Sequence, residues 1–167
     1  MPAVSEVMNA DDRVRMRFLG TGADAATVRD AFAPELRSRV EVVPRFERGE
    51  LVGLVGNARI GVVASVNEGS PVSLLELMAL GLAPVVTDTP GTAETVVAGE
   101  HALVVPARQV AGLRDALGLL VRDPGRAARL GAAARERVAD RGWAHVAEEN
   151  LAVYRMALAS RDAAVGG

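Results

Sequence analysis

The chain has 167 residues, a formal net charge of −2, no cysteine and only five aromatic residues, while half of its residues are apolar. That length is typical of one domain with a sizeable core, and the charge argues against a nucleic-acid binder, which normally needs a basic stripe. No segment approaches about 18 unbroken apolar residues, and no basic stretch precedes an apolar N-terminal run, so we expect neither a membrane span nor a signal peptide. The absence of cysteine excludes a disulfide framework and agrees with a cytoplasmic location.

The first third of the chain alternates between predicted helices and strands. A glycine turn, Gly20-Thr21-Gly22, directly follows the first strand and is a weak signal for a nucleotide-binding turn. Arg45 follows the second strand. Two alternatives stay open for its side chain: exposure to solvent alone, or contact with a ligand. The predicted elements are a short helix over residues 1–12, a strand over 14–20, a helix over 24–33, a strand over 40–43 and a helix over 48–57.

The most informative stretch begins with a buried strand over residues 60–64 and continues into a helix that we expect to close at Gly81. Ser70 suits the helix cap and Pro71 the first helical position. The free backbone N–H groups of Val72 and Ser73, with the helix dipole, would favour an anionic ligand such as phosphate.

Two carboxylates bracket this predicted anion site, Glu68 in the loop and Glu76 inside the helix. Carboxylates accept hydrogen bonds from hydroxyl groups. A ligand with hydroxyl-rich ends and phosphate in the middle fits this arrangement, and that is the outline of a nucleotide-diphosphate sugar. Glu76 lies between two leucines, where an unpaired carboxylate is costly unless it lines a cleft.

The alternating part continues with a strand over residues 83–87 and ends near residue 105. The C-terminal third is predicted to be helical, with helices over 110–121, 124–140 and 143–160. The alternation predicts an α/β fold, a Rossmann-like parallel sheet with helices on both faces and a helical C-terminal third. We expect one domain over residues 1–160 and a disordered tail over 161–167. The last helix is expected to pack its apolar side chains on this same domain, and packing on a neighbouring molecule is the alternative.

These residues also carry a family resemblance. The pattern resembles the Glu-x7-Glu signature of the family 4 retaining glycosyltransferases, which have the GT-B fold. The matching residues are Glu68-Gly69-x-Pro71-x-x-Leu74-Leu75-Glu76-x-Met78-Ala79-x-Gly81 and Pro84-Val85-Val86-x-Asp88-x-x-Gly91-x-x-Glu94. The resemblance covers about residues 14–158 and is to the second of the two GT-B domains, which binds the sugar donor.

The resemblance implies roles for individual residues. Glu68 would be the catalytic candidate, contacting hydroxyl groups of the transferred sugar, and Glu76 would hold the ribose hydroxyls. The remaining donor-binding candidates lie in three loops: Gly69, Ser70, Pro71, Val72 and Ser73 at the helix start, Arg45 near the nucleobase, and Gly20 with Gly22 in the glycine turn. No metal or other cofactor would be required.

The chain departs from the family pattern in two ways. It lacks the opening strand of the donor domain with the arginine and lysine that clamp the diphosphate, and it contains no lysine at all. It also lacks the acceptor domain, so the partner would be that N-terminal domain or another copy of the chain. We therefore expect the isolated polypeptide to have no appreciable transferase turnover.

Three functions compete at this stage. The first is a donor-binding domain of a retaining glycosyltransferase, and the second is a non-catalytic assembly module that uses the same fold. The third is another nucleotide-sugar enzyme of GT-B type, such as an epimerase, against which the Glu-x7-Glu spacing argues. The base, the sugar and the acceptor are not specified by the sequence.

Overall fold

The computed structural model describes the backbone of residues 1–165 and the side chains of residues 1–142, 144 and 146–158. The strands are β1 (Met16–Leu19), β2 (Val40–Val43), β3 (Ile60–Val63), β4 (Ala83–Thr87) and β5 (Leu103–Val105). The helices are α1 (Pro2–Ala10), α2 (Ala25–Asp30), α3 (Leu51–Val55), α4 (Val72–Ala79), α5 (Pro90–Thr95), α6 (Val110–Arg122), α7 (Pro124–Arg137) and α8 (Trp143–Val165). Two 3₁₀ segments, Pro34–Arg39 and Arg48–Glu50, precede β2 and α3.

All strand pairs are parallel, as predicted, but they are divided between two sheets. β1 pairs with β2 in one sheet, and β3, β4 and β5 form the other in that order. Within residues 1–165, no ladder joins β1 to β3. The α/β class with parallel strands and helices on both faces is confirmed, and the one correction is that the sheet is interrupted between β1 and β3.

β4 is the centre of the larger sheet, and all five of its residues are buried. Successive side chains of a strand point to opposite faces, and Val85 and Val86 accordingly belong to different core clusters. Val85 packs with residues of α6 and α7, whereas Val86 packs with Leu74 and Met78 of α4. Burial on both faces is what a parallel strand requires, so β4 fixes the positions of its neighbours β3 and β5.

The smaller sheet has its own core, and α1 connects the two. Met8 of α1 packs with Phe32, Leu36 and the β2 valines in that core. Val7, on the same helix, belongs to the core of the larger sheet, and the partly buried Val4 packs against both. The first helix therefore holds the two sheets together through apolar contacts.

The last helix differs from the prediction in length and in packing. α8 runs from Trp143 to Val165, past residue 161 where we expected the tail to begin, and residues 166 and 167 lie outside the described range. Among its described side chains, Leu151 is 49% exposed and Tyr154 is 65% exposed, so these two do not pack on the domain as expected. No helix in the described part of the chain is both long enough and apolar enough to cross a membrane.

Candidate functional site

The helix that carries Glu76 is positioned by close packing on β3 and by a glycine at its end. A Cβ atom on Gly61 of β3 would lie 2.6 Å from Leu77 Cδ1, so the strand and α4 are in direct contact there. Gly81 has a φ of +74° and donates to Met78 O at 2.9 Å, while Leu82 N donates to Leu77 O at 3.1 Å. This pair of bonds is the Schellman motif, and it confirms the predicted closure at Gly81.

The start of α4 differs from the prediction. Pro71 is the N-cap residue and makes no side-chain cap bond, so Ser70 is not the cap and Pro71 is not the first helical residue. The Val72 amide donates to Ser70 O at 3.0 Å, which occupies one of the two N–H groups expected to be free. The Ser73 amide has no hydrogen-bond partner among the described residues, so one donor remains at this helix end.

Glu68 is held by its own loop. Ser65 Oγ donates to Glu68 Oε1 at 2.7 Å, and both side chains are partly buried. The main-chain oxygen of Ser65 accepts a hydrogen bond from Thr87 Oγ1 of β4. A hydrogen bond to a carboxylate is stronger than one between neutral groups, so the carboxylate is oriented by β3 and β4 together.

The main chain of the same loop is held by Gly91 of α5. Gly91 N donates to Glu68 O at 2.9 Å. A Cβ atom at position 91 would lie 2.6 Å from Gly69 O and 2.8 Å from Glu68 O, closer than such contacts occur in proteins. α5 is itself fixed by buried threonines, with Thr95 Oγ1 donating to Gly91 O at 2.7 Å. Only glycine therefore permits this approach of α5 to the loop.

Glu76 projects from α4 into a cleft of about 1610 Å³, whose wall also includes Ser65 and Ser73. Its side chain is half-buried, and no hydrogen bond or ion pair to another described residue satisfies it. Phe46, from the loop after β2, lines the same cleft from the other sheet. The glutamate-bearing helix α4 and the smaller sheet therefore line the same cleft.

The glycine turn and the loop after β2, which was predicted near the nucleobase, lie against each other. Gly20 N donates to Val43 O at 2.9 Å, and Gly22 N donates to Pro44 O at 3.0 Å. Both glycines have positive φ, which favours glycine over other residues. Arg45 is exposed and makes no ion pair within the described residues.

Of the predicted site residues, Ser73 and Glu76 line the cleft, whereas Gly20, Gly22, Arg45, Glu68, Gly69, Ser70, Pro71 and Val72 do not.

The electrostatic environment of the cleft is basic although the chain is acidic. Seven arginines and three acidic residues line it. Arg17 is paired with Glu41 at 2.6 Å and donates to Leu54 O. Arg13 lies 2.7 Å from Asp11, and its hydrogen bond lowers the pKa of that carboxyl group to about 2. Among the described side chains, no group of three His, Cys, Asp or Glu residues could hold a metal ion.

Three residues that position the glutamate loop were not predicted as functional: Ser65, Thr87 and Gly91. Gly91 is part of the motif that carries the family resemblance, but the resemblance implied no functional role for this glycine. Ser65 lies three residues before Glu68, a spacing at which a serine can bond locally to a carboxylate. That spacing was the available signal for Ser65, whereas the contacts of Thr87 and Gly91 depend on the fold.

Comparisons with known proteins agree on one family. The model of the family "Glycosyl transferases group 1" matches residues 3–137. D-inositol 3-phosphate glycosyltransferase of Xylanimonas cellulosilytica is 34% identical over 166 residues, which are 96% of this chain and 40% of that protein.

Solved structures show the same fold. Sucrose-phosphate synthase of Thermosynechococcus elongatus has a TM-score of 0.80 at 24% identity, covering 95% of this chain and 42% of that one. Anabaena HepE in complex with UDP-glucose has a TM-score of 0.70 at 15% identity, covering 93% and 44%. The chain therefore spans less than half the length of these three proteins.

Proposed function

This chain belongs to the group 1 glycosyl transferase family, and from that premise we propose that it binds the nucleotide-diphosphate sugar donor of a retaining glycosyltransferase. The observation that carries the proposal is Glu76, a half-buried carboxylate in a cleft wall with no partner among the described residues. A partly buried charge without a partner is costly. Ligand hydroxyl groups would supply the missing hydrogen bonds, and a donor nucleotide carries them on its ribose.

The proposed site also includes residues of the glutamate loop, which lie outside the cleft wall. Glu76 binds the ribose hydroxyls, and Glu68 contacts hydroxyl groups of the transferred sugar. The free Ser73 amide, at the positive end of the α4 dipole, binds the diphosphate with the main chain of Gly69 and Ser70. The complex of HepE with UDP-glucose supports this ligand class, because that protein has the same fold.

The base lies toward the smaller sheet in this proposal. Gly20, Gly22 and Arg45 belong to two loops that contact each other through the main chain. Phe46 continues the second loop into the cleft, where it faces the same space as Glu76. Pro71 and Val72 shape the start of α4 and keep its first turn close to the diphosphate. We propose that base recognition uses mainly backbone groups of these loops.

The proposed chemistry is transfer of the sugar with retention of its anomeric configuration. An oxocarbenium-like state on the donor sugar is stabilised electrostatically by the site, without a required metal. Charge on the departing diphosphate is the other large term, and the lysine of the clamp that the family resemblance implies has no counterpart in this chain, which contains no lysine. We therefore propose that the isolated chain binds donor but needs an acceptor-binding domain, or another copy, for turnover. The absence of cysteine agrees with our proposal that the protein acts in the cytoplasm.

The test is calorimetric titration of the purified chain with UDP, GDP and UDP-glucose. A hydrogen bond to a charged group contributes about 1.5–3 kcal/mol, so Glu76→Ala should weaken binding of the preferred nucleotide by about 10- to 100-fold. Glu136→Ala is the matched control, since this exposed glutamate lies on α7. Equal affinity of the wild type and Glu76→Ala would refute the assignment of Glu76.

The second candidate function is a non-catalytic assembly module with the same fold. It is favoured by one observation, the two strand edges that face the cleft without a partner strand among residues 1–165. If the wild-type chain binds no nucleotide at millimolar concentration, this candidate replaces the first.

A further inference from the structure

His101 is a buried histidine between α5 and β5, and it is not among the residues that we propose to contact the donor. Nδ1 of its imidazole ring accepts a hydrogen bond from Val97 N at 3.1 Å. A ring nitrogen that accepts carries no proton, so the ring is neutral and its proton is on Nε2. Nε2 lies 3.5 Å from Glu100 Oε1. The observed arrangement therefore requires the uncharged form of this side chain.

The segment over residues 97–101 is a tight turn that the histidine closes. Val97 O accepts from Glu100 N at 3.2 Å and from His101 N at 3.0 Å, and Gly99 N donates to Ala102 O at 2.8 Å. The Val97 amide is bonded to the imidazole ring instead of to a main-chain oxygen. Proton uptake at Nδ1 would turn this acceptor into a second donor. The bond that closes the turn would then be lost.

The turn continues directly from α5, the helix that holds the glutamate loop. Val96, at the end of this helix, is buried in the core of the larger sheet together with Met78 of α4. At the other end, Gly91 N donates to Glu68 O at 2.9 Å. A helix of six residues is about 9 Å long, so its two ends move together. A rearrangement of the turn at Val97 is therefore transmitted to the main chain of Glu68.

The hydrogen bond to Val97, more than the surrounding charge, decides which form of the ring fits. Three charged side chains lie on the segments that adjoin the turn: Glu100 in the turn itself, Glu94 on α5 and Arg137 on α7, which donates to a main-chain oxygen at the end of α5. α4 contributes Leu74 and Met78, and β3, β4 and β5 contain no charged residue. The three charged residues are exposed and of both signs, so water and salt weaken their effect on the ring.

We propose that His101 is a positioning residue that makes donor binding depend on pH. With the ring neutral, its bond to Val97 fixes the end of α5, and α5 holds Glu68 toward the transferred sugar. The bond exists only with the unprotonated ring, so it is present above the range in which imidazole titrates and is lost as the pH falls through that range. Affinity for the sugar donor falls with it. This proposal rests on the proposed function, because the affinity concerned is that for a nucleotide sugar.

The first experiment is calorimetric titration of the full chain with UDP-glucose at about pH 8 and about pH 5.5. The wild type should bind about 2- to 10-fold more weakly at the lower pH, the range expected for one lost hydrogen bond. His101→Asn keeps an acceptor near the position of Nδ1 but does not titrate, so it should remove this loss. His101→Leu has no acceptor and should bind weakly at both pH values.

The comparison between variants isolates the histidine, because protonation of the ligand phosphates is the same for every variant at a given pH. His145→Asn is the matched control, since it changes the other of the two histidines in the chain. It should keep the pH dependence of the wild type. The same pH dependence in His101→Asn as in the wild type would overturn the proposal.

The second experiment needs no ligand and uses the full chain labelled with nitrogen-15. As the pH falls, the amide signals of Val97 and Gly91 should shift together with the ring signals of His101, and they should stay constant in His101→Asn. A Gly91 signal that does not follow the titration of His101 would overturn the proposal. Absence of UDP-glucose binding at every pH would instead refute the proposed function, and the amide signals alone would then decide whether His101 controls α5.

Discussion

The contact between α5 and the glutamate loop gives the sharpest prediction. In Gly91→Ala the new methyl carbon would lie 2.6 Å from Gly69 O, 2.7 Å from Gly69 C and 2.8 Å from Glu68 O. Ordinary contacts of a Cβ atom begin at 3.4 Å, so the helix and the loop must separate by about 0.6–0.8 Å. Overpacking of this kind destabilises a protein by about 1–3 kcal/mol.

The loop should move more than the helix. α5 is held by buried threonine hydrogen bonds, Thr95 to Gly91 O at 2.7 Å and Thr89 with Thr92 at 2.9 Å. Gly69 is exposed, and a methyl carbon added to it would meet no atom within 4 Å, so the loop is less tightly packed. The substitution should displace Glu68 and reduce the preference for UDP-glucose over UDP, while UDP itself still binds.

The assay combines thermal unfolding with calorimetry. For a chain of this length, 1 kcal/mol corresponds to about 2–4 °C in Tm, so Gly91→Ala should lower Tm by about 2–12 °C. Gly53→Ala, inside α3 with nothing within 4 Å of a new methyl carbon, should leave Tm unchanged or raise it slightly. An unchanged Tm together with an unchanged ratio of the UDP-glucose and UDP affinities in Gly91→Ala would refute this reasoning.

Two further predictions concern the loop and the packing of α7. Ser65→Ala removes the donor to Glu68 Oε1 and should weaken UDP-glucose binding by about tenfold with little effect on UDP, as about 1.5 kcal/mol is typical of a bond to a charged group. Equal losses for both ligands in calorimetry would contradict this role. Gly131→Ala places a methyl carbon directly against Gly81 O, well inside van der Waals contact, and should cost about 3 kcal/mol in urea unfolding. Gly142→Ala, with nothing within 4 Å, is its control, and equal midpoints would show that α7 and the turn at Gly81 separate freely.

Local signals in the sequence were sufficient for most of the elements, although α5 and the 3₁₀ segment Pro34–Arg39 were not predicted. Periodic leucines and Gly81 predicted α4 and its end, because a helix and its Schellman closure depend on residues within a few positions of each other. The cap was predicted wrongly because proline occurs both at the N-cap and in the first turn. Pro71 has ψ of 86°, outside the helical region, and so stands before the helix.

Relations between distant residues could not be predicted in the same way. Whether β1 and β3 pair is decided by what lies between them in space, and their sequences contain no signal for it. The contact of Gly91 with Glu68 joins residues that are 23 positions apart, and it exists only because β3 and β4 are neighbours. The roles of Glu68 and Glu76 came from the spacing of two carboxylates and from a family resemblance, and they stay proposals.

The dependence of both cores on α1 has a consequence for how the molecule unfolds. Val7 and Met8 are adjacent in sequence but are buried in different clusters, and Val4 contacts both. Cooperativity between neighbouring parts of a protein depends on the contacts that join them. These residues of one short helix therefore couple two subdomains energetically, and detachment of Met8 from the smaller core would let that subdomain open while the larger one stays folded.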